Sequence, residues 1–278
     1  MKKFFKYLGI SLLLSISFFY TEKTANVVKE LDEIMIEIRK LAETHKIEPI
    51  EAEINNNTII PGLNGSEIDV EKSYREMRYI GNFNEKYLQY RKIYIKNKLK
   101  DNLDKYIISG NKARKDVSIL FVVENNTSVN EIIQILNKNN ISATFLISGL
   151  WLEKNNNQVY QIINDNHNLG SIGYNYSYKD SSYAWLDNVI KRITKENHSY
   201  CIKVDEENLN ICAKYKNYTL ATDIIDENPL SNVKSSLSNG SILIFKINDE
   251  LITELELIIK YINSKNLNIV NINKLLQE

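Results

Sequence analysis

The sequence lacks an excess of charge of either sign. Its 278 residues include 35 lysines and arginines and 35 aspartates and glutamates, so the formal net charge is zero. The basic run at 91–100 is offset by Asp101, Asp104 and many acids elsewhere. Because this balance gives no electrostatic basis for binding a polyanion, we expect no nucleic-acid partner.

Cysteine is scarce, and its spacing does not suit zinc. The chain has two cysteines, Cys201 and Cys212, with His198 nearby but neither a CxxC pair nor an obvious fourth ligand. We therefore predict no zinc site here. In an exported chain such a pair forms a disulfide, and two buried free thiols are the alternative. A bridge needs Cα atoms closer than about 7 Å, and closing this short loop contributes about 3 kcal/mol.

The N-terminus lacks a lipobox cysteine and a clean small-x-small cleavage site, since aromatic residues occupy positions 18–20. Lys2, Lys3 and Lys6 precede an apolar stretch at 7–20. Cations before an apolar core stay inside while the core enters the bilayer. We predict an uncleaved signal anchor over residues 1–21, with a cleaved signal peptide as the alternative. Either form places the body outside the cytoplasm, and the anchored form is a single-pass protein of the cell membrane.

Residues 22–45 are predicted to form a stalk helix. Its apolar residues alternate spacings of four and three, as in a heptad seam. They are Val27, Leu31, Ile34, Ile38 and Leu41. The seam could join two copies into a homo-oligomer, or the stripe could pack on the chain's own body, and the sequence favours neither.

Residues 46–115 are predicted to form a small α+β accessory region. Short strand-like runs at 51–54 and 57–60 flank an asparagine-rich turn. Asp69 is a candidate cap for a helix that Gly81 ends.

Residues 116–278 alternate strand and helix patterns. A buried strand at 117–123 is followed by a helix that Ser128 and Glu131 could begin with a capping box. Further strand-like and helical segments alternate as far as a last strand at 267–270. Repeated units of this kind predict an α/β fold with a parallel sheet, closed here into a barrel.

The order of motifs in this half resembles the NodB homology domain of polysaccharide deacetylases. The matching stretches lie in family order and are 120–124 (LFVVE), 143–146 (ATFL), 149–155 (GLWLEKN), 166–176 (NHNLGSIGYNY), 240–244 (GSILI) and 267–272 (LNIVNI). The accessory region also looks like extensions of membrane-anchored members from Gram-positive bacteria. The resemblance implies a NodB-like distorted (β/α) barrel.

The positions that carry chemistry in the family have lost it here. In active members two adjacent aspartates supply a base and a metal ligand, and two histidines complete the metal site. A later histidine protonates the leaving amine. The matching positions hold Val122 and Val123, Ile172 and Tyr176, and Lys246. Valine and isoleucine can neither bind a cation nor transfer a proton, so we expect a pseudoenzyme with no catalytic residues, no metal and no cofactor.

Several polar residues remain as candidate ligand contacts. They are Glu124, Asn126, Asn175, Tyr176 and Asp223. In the run 174–178, tyrosines alternate with Asn175 and Ser177. Aromatic faces beside amides suit a sugar ring, although this alternation is also typical of an ordinary half-buried strand. A relocated metal site formed by Glu124, Asp223 and Asp226 is a minor alternative. His167 matches a structural histidine of the family rather than a ligand.

Three functions follow from these patterns. The first is an inactive deacetylase-like protein of the cell envelope that binds cell-wall glycan or a protein partner. The second is an active carbohydrate esterase that deacetylates N-acetylated glycan through a rearranged site. The third is a purely structural envelope protein.

Overall fold

The structure, a computed structural model, describes residues 2–278 and their side chains, except the side chains at 2–6, 8, 9, 22, 25 and 26. The chain divides into two compact units. The smaller unit contains residues 2–49 and 64–94, and the larger contains 50–63 and 95–278. The larger unit includes 50–63 and 95–115, which the sequence patterns had grouped with the accessory region.

The helices of the described residues are α1 (Lys2–Glu30), α2 (Glu33–Thr44), α3 (Val70–Ile80), α4 (Asn130–Lys138), α5 (Gly149–Lys154), α6 (Asn156–Asn164), α7 (Asp180–Thr194), α8 (Glu206–Lys214), α9 (Pro229–Ser236), α10 (Asp249–Ser264) and α11 (Ile272–Leu275). The strands are β1 (Glu53–Asn55), β2 (Thr58–Ile60), β3 (Gly65–Ile68), β4 (Tyr90–Ile93), β5 (Tyr106–Ile107), β6 (Asp116–Val123), β7 (Thr144–Ile147), β8 (Asn168–Ser171), β9 (Tyr200–Ile202), β10 (Tyr218–Leu220), β11 (Ile224–Ile225), β12 (Ile242–Lys246) and β13 (Asn268–Ile269).

The predicted stalk helix is interrupted. Asp32 begins a new helix, because its carboxylate accepts a hydrogen bond from the Ile34 N–H at 2.9 Å. The Tyr74 hydroxyl donates to the same carboxylate at 3.0 Å and fixes the break. One continuous heptad seam is therefore the wrong interpretation.

The apolar stripe of α2 packs within its own unit. Ile38 is fully buried with Met77 of α3, and Ile34 and Leu41 lie partly buried against the same cluster. Leu31 lies beyond the break and is 72% exposed. Of the two alternatives, the α2 part of the stripe therefore packs on its own chain rather than on a second copy.

No helix among the described residues is both long enough and apolar enough to cross a membrane. The anchor prediction depends on Lys2, Lys3 and Lys6, whose side chains lie outside the described part of the chain. The anchor therefore stays a prediction.

The smaller unit also contains a two-stranded antiparallel sheet, β3–β4. The Asp69 carboxylate caps α3 by accepting from the Lys72 N–H at 3.0 Å, as the sequence predicts. Gly81 ends the helix with a left-handed φ of 77°, which a glycine adopts without steric cost.

The larger unit is built on one curled sheet. Within residues 2–278 it has 11 strands in the order β1-β2-β5-β10-β9-β8-β7-β6-β12-β11, and β13 pairs with β6. The strands from β2 to β11 in this order run parallel to their neighbours, and only β1 is antiparallel to its partner. In this order β1 and β11 are the two ends, so the sheet is a half-barrel rather than the closed barrel that the strand–helix pattern predicts.

Successive residues of β6 enter two different cores. Ile119, Phe121 and Val123 pack in the layer between the sheet and the helices. Leu120 and Val122 pack in the concave interior of the half-barrel. This division follows from the alternation of side chains across a strand, and it fixes what each strand end presents to the site.

A disulfide joins β9 to α8. Cys201 and Cys212 are bonded with their Cα atoms 6.6 Å apart, and both are fully buried. The Tyr183 hydroxyl lies 3.0 Å from Cys201 Sγ in the same cluster. The bridge thus closes a short loop inside the packed interior rather than at the surface.

Candidate functional site

The carboxyl ends of the parallel strands form the mouth of the half-barrel, where α/β folds place their functional groups. Val122 and Val123 end β6, and neither has any exposed surface. Val122 faces the concave interior, while Val123 lies among the residues beneath the helices. The two positions that the resemblance aligns with the family's aspartates therefore hold buried aliphatic groups, one on each face of the strand.

The segment after β8 is bent into an unusual backbone. Ile172 is fully buried in the concave interior, and the next residue, Gly173, has φ of 67°. Asn175 and Tyr176 also have positive φ, 52° and 65°. A left-handed conformation is uncommon for a bulky aromatic residue, so Tyr176 is held there by its surroundings.

The bend turns the Tyr176 side chain toward β6. Its hydroxyl donates a hydrogen bond of 2.9 Å to Glu124 Oε1. Burial raises the pKa of the Tyr176 phenol well above its ordinary value of 10.0, and the neighbouring Glu124 carboxylate raises it further. The phenol is thus a neutral hydrogen-bond donor at physiological pH, not an oxygen anion.

A lysine completes this group of side chains. Lys246, at the end of β12, places its ammonium Nζ 3.7 Å from Glu124 Oε2 and 3.5 Å from Asp226 Oδ2. We call Tyr176, Glu124, Lys246 and Asp226 the mouth network. In it a protein ammonium supplies the positive charge beside the carboxylates, and Tyr176 supplies a neutral donor.

The mouth does not fit the divalent metal that the family implies. The positions that should provide ligands hold aliphatic side chains at Val122, Val123 and Ile172, which offer no lone pairs. The ammonium of Lys246 would repel a cation placed beside Glu124. The residues present therefore give no ligand set for a metal at this position.

The three carboxylates of the relocated-site alternative do not converge. Glu124 and Asp226 both approach Lys246, but Asp223 lines a separate cleft. Within the described residues, no group of three or more histidine, cysteine, aspartate or glutamate side chains is placed to hold a metal ion. That alternative consequently has no geometric support.

The other candidate contacts are dispersed. Asn126 is exposed in the loop after β6. The Asn175 N–H donates to Ser148 Oγ at 3.3 Å, so its backbone closes the turn at the next strand end. Only Glu124 and Tyr176 of the five candidate contacts touch each other through their side chains.

An aromatic pair next to the 173–176 bend was not anticipated. The Tyr174 ring lies 6.1 Å from the ring of Trp185 on α7, and Trp185 is 43% exposed. Tyr174 also donates to Glu153 Oε1 at 3.0 Å. Trp185 lies outside the buried stripe of α7, which includes Tyr183 and Leu186. A large aromatic residue outside the apolar stripe of a helix is the pattern in the sequence that could have predicted this exposed ring.

His167 has the structural role expected of it. Its ring nitrogen Nδ1 accepts from the Ala143 N–H at 3.3 Å, and the ring packs against Phe145 at 5.4 Å. Burial lowers the pKa of the imidazole below its ordinary 6.5. A neutral histidine that binds backbone far from the mouth network is no candidate for proton transfer to a ligand.

The strand-end frame thus holds a network of two carboxylates, one ammonium and one neutral phenol. Comparison with known proteins agrees with the frame. Residues 109–205 match the family model for polysaccharide deacetylase. The uncharacterized protein YlxY of Bacillus subtilis (strain 168) is 28% identical over 176 residues, which are 63% of this chain and 54% of that protein. The match thus spans about half the length of that relative.

Solved structures give the class of fold. BA3943 of Bacillus anthracis, described as a CE4 family pseudoenzyme, has a TM-score of 0.67 at 22% identity, covering 89% of this chain and 96% of that one. A BA3943 mutant with restored enzymatic activity has the same TM-score and identity and covers 89% and 99%. Bacillus subtilis PdaA, a family 4 carbohydrate esterase, has a TM-score of 0.51 at 13% identity, covering 82% and 97%.

The fold is therefore that of the family 4 carbohydrate esterases, the NodB-like α/β fold predicted from the sequence. Within it, residues 109–205 are the part of the chain that matches the polysaccharide deacetylase family model.

Proposed function

We propose that this chain is a polysaccharide deacetylase-like protein of the cell envelope that has no deacetylase activity and binds glycan or a protein partner. One observation carries the first part. At the mouth, Val122 and Ile172 are fully buried in an apolar interior, and Lys246 takes the place beside Glu124 where a catalytic cation would be needed. Hydrolysis of an acetamide by this fold needs a cation beside a base, and the mouth offers carboxylates but no ligand set for the cation.

The neighbours support this proposal. BA3943 is described as a CE4 family pseudoenzyme, so the fold exists elsewhere without its reaction. One of its mutants is described as having restored activity, so a frame of this kind can be refitted by substitution. The same logic gives a direct test for this chain.

The test compares the parent chain with a refitted variant. The variant carries Val122→Asp, Val123→Asp, Ile172→His, Tyr176→His and Lys246→His, and both are assayed for acetate release from N-acetylglucosamine oligomers with added zinc or cobalt. We expect no release from the parent. Release by the variant would show that the frame is intact and only its side chains were missing.

The rearranged-site alternative has its own signature in this assay. Acetate release by highly purified parent protein, abolished by Glu124→Gln or Asp223→Asn, would reject the proposed inactivity. A matched exposed control, Glu207→Gln, removes one carboxylate charge from α8 without touching the mouth network. Release that is unaffected by all three variants would indicate a contaminating enzyme.

The proposed location is the outer side of the cell membrane, with residues 1–21 as a single-pass anchor. Protease added to intact cells should digest the body of an anchored, extracytoplasmic chain. Protection of the body until the cells are lysed would contradict this.

The proposed homo-oligomer is tested by sedimentation of the full-length chain, where a Leu31→Glu variant should dissociate a dimer held by the segment around the helix break.

A binding role gains support from the exposed aromatic pair. Trp185 and Tyr174 present ring surface near the 173–176 bend, together with the Glu153 carboxylate. Aromatic faces beside polar groups bind the apolar faces of sugar rings. Retention of the chain on immobilised peptidoglycan, and its loss in Trp185→Ala, would favour glycan over a protein partner. Absence of retention would favour a partner protein or a purely structural role.

A further inference from the structure

A second concave surface lies in the larger unit apart from the mouth network. It is a cleft of about 460 Å³, within the roughly 300–1,000 Å³ range of ligand pockets. The ends of β5 and β10, the helix α9 and the beginning of β12 surround it. None of the four residues of the mouth network lines it. We call it the lateral cleft.

The floor of the lateral cleft is aliphatic and its walls are polar. Ile242 and Leu243 are the buried apolar residues of β12 that line it. The polar lining comes from short side chains, mainly serines with Thr222, Asp223 and Asn232. Aliphatic and hydrogen-bonding groups in such a mixture match a ring that has C–H faces and a polar edge, as a sugar has.

Two of these polar groups lack a partner within the protein. The Thr222 hydroxyl oxygen is buried and makes no hydrogen bond. No hydrogen bond or ion pair within residues 2–278 is recorded for the exposed Asp223 carboxylate, although most other acids of the larger unit have one or cap a helix. Of the two groups, the exposed Asp223 carboxylate is the one that a ligand in the cleft can reach.

The available groups are mostly acceptors. Asp223 offers two carboxylate oxygens, and Asn232 uses its amide nitrogen to donate to Glu227 O at 2.7 Å, which leaves its side-chain carbonyl to accept. Ser236 donates its own hydroxyl to Asn232 O at 2.8 Å and can still accept. Among the described residues that line the cleft there is no lysine or arginine. A matching ligand therefore presents donors and no negative charge.

We propose that the lateral cleft binds a hexosamine unit, a sugar that carries hydroxyl donors and a free ammonium, with Asp223 accepting from the ammonium. This rests on the glycan-binding part of the proposed function and specifies its ligand as the de-N-acetylated form. A hydrogen bond between a carboxylate and an ammonium is about twice as strong as one between neutral groups. An N-acetylated sugar lacks that charge and should bind more weakly.

The experiment titrates the purified full-length chain with glucosamine oligomers and with N-acetylglucosamine oligomers by calorimetry. We expect glucosamine oligomers to bind at least about tenfold more tightly, and Asp223→Asn to remove that preference by weakening their binding about tenfold. The control Glu207→Gln, which removes the same charge from exposed α8, should leave binding unchanged. Ser236→Trp, at an exposed end of α9, should fill the cleft and weaken the binding of glucosamine oligomers at least about tenfold.

The outcomes separate the cleft from the wider proposal. Equal binding of the two oligomers, or full binding by Asp223→Asn or Ser236→Trp when thermal melts show both variants folded, would overturn the cleft proposal. Binding that is lost in Trp185→Ala but kept in Ser236→Trp would place the glycan at the aromatic pair, which overturns the cleft and leaves glycan binding intact. No binding by the folded parent would overturn the cleft proposal as well, while acetate release alone decides whether the chain is inactive.

Discussion

The Lys246 ammonium lies 3.7 Å from the Glu124 carboxylate, at a strand end where active relatives keep a histidine. The second carboxylate, that of Asp226, lies 3.5 Å from the same nitrogen. The mouth of this chain thus places one ammonium beside two carboxylates, and this ammonium offsets part of their negative charge.

The strength of this ion pair can be measured. Because the Lys246 and Glu124 side chains are 37% and 32% exposed, solvent screens the pair. We expect Lys246→Met to lower the free energy of unfolding by less than about 1 kcal/mol, and about 1 M salt to shrink the difference. Lys115→Met is the control, since Lys115 is exposed and lies outside the mouth network. Urea titrations at both salt concentrations check this, and a cost above about 3 kcal/mol would contradict the screened geometry.

The hydrogen bond from Tyr176 to Glu124 should contribute more. Its acceptor is charged and the phenol is partly buried, so we expect Tyr176→Phe to cost about 1.5 kcal/mol. Because the donor is neutral, this cost should depend less on salt than the cost of Lys246→Met. Glu124→Gln provides the second arm of a double-mutant cycle. Additive losses from the two substitutions would show that the bond does not form in solution.

Acid should destabilise the larger unit through the buried His167 and the half-buried His198. Burial lowers the pKa of both His167 and His198, so the folded state binds fewer protons than the unfolded chain. Stability is then complete above the unfolded value near 6.5 and is lost as pH falls from there toward the lowered pKa.

His167→Asn keeps an acceptor for the Ala143 N–H but cannot ionise. We expect it to flatten the fall in unfolding free energy between about pH 7 and pH 5, the window below the ordinary histidine pKa. Urea titrations across this range measure the slope. A slope identical to that of the parent would mean that His167 titrates normally.

The disulfide should matter to stability and resist reductant. Replacing both Cys201 and Cys212 by alanine should lower the free energy of unfolding by about 3 kcal/mol, because the bridge closes an eleven-residue separation. Since both sulfurs are fully buried, we expect reductant to reach them only after unfolding. Mass spectrometry of thiols labelled with and without urea tests this, and rapid labelling of the reduced native protein would contradict it.

The sequence predicts where the strands lie, but it does not predict whether the sheet closes into a barrel. Apolar runs such as 117–123 identify a buried strand locally, and the structure has β6 there. Whether the first and last strands meet depends on pairing between distant segments, which no window of sequence contains. The half-barrel therefore replaced the closed barrel that the repeated strand–helix units suggested.

Helix beginnings show the same limit. An aspartate such as Asp32 can cap a helix, but the continuous apolar spacing around it predicted one uninterrupted helix. In the structure Asp32 caps α2, and a hydrogen bond from the distant Tyr74 holds its carboxylate in place. At α4, Ser128 makes no cap. The N–H of Val129, the residue before α4, instead donates to Gln158 Oε1, 29 residues away, and the local sequence around α4 does not indicate this partner.

The sequence predicts which catalytic residues are missing from the candidate site, but it does not predict which side chains take their place. The missing aspartates and histidines are visible in the sequence as Val122, Val123 and Ile172. The network that fills the mouth is not, because Glu124, Tyr176 and Lys246 come from three strand ends and meet only through the fold. Asp223 was expected near them and instead lines the lateral cleft.

The strands β1, β2 and β5 cover the side of β10 that β9 leaves open. They come from 53–60 and 106–107, before the residue at which the deacetylase-like half of the sequence begins. A shortened protein that starts at Asp116 would keep every motif that resembles the NodB homology domain and lose this cover. Its β10 would become a bare strand edge, and such edges recruit strands from other molecules. We therefore expect a fragment cut at the sequence boundary to aggregate, whereas the full-length chain keeps this edge covered.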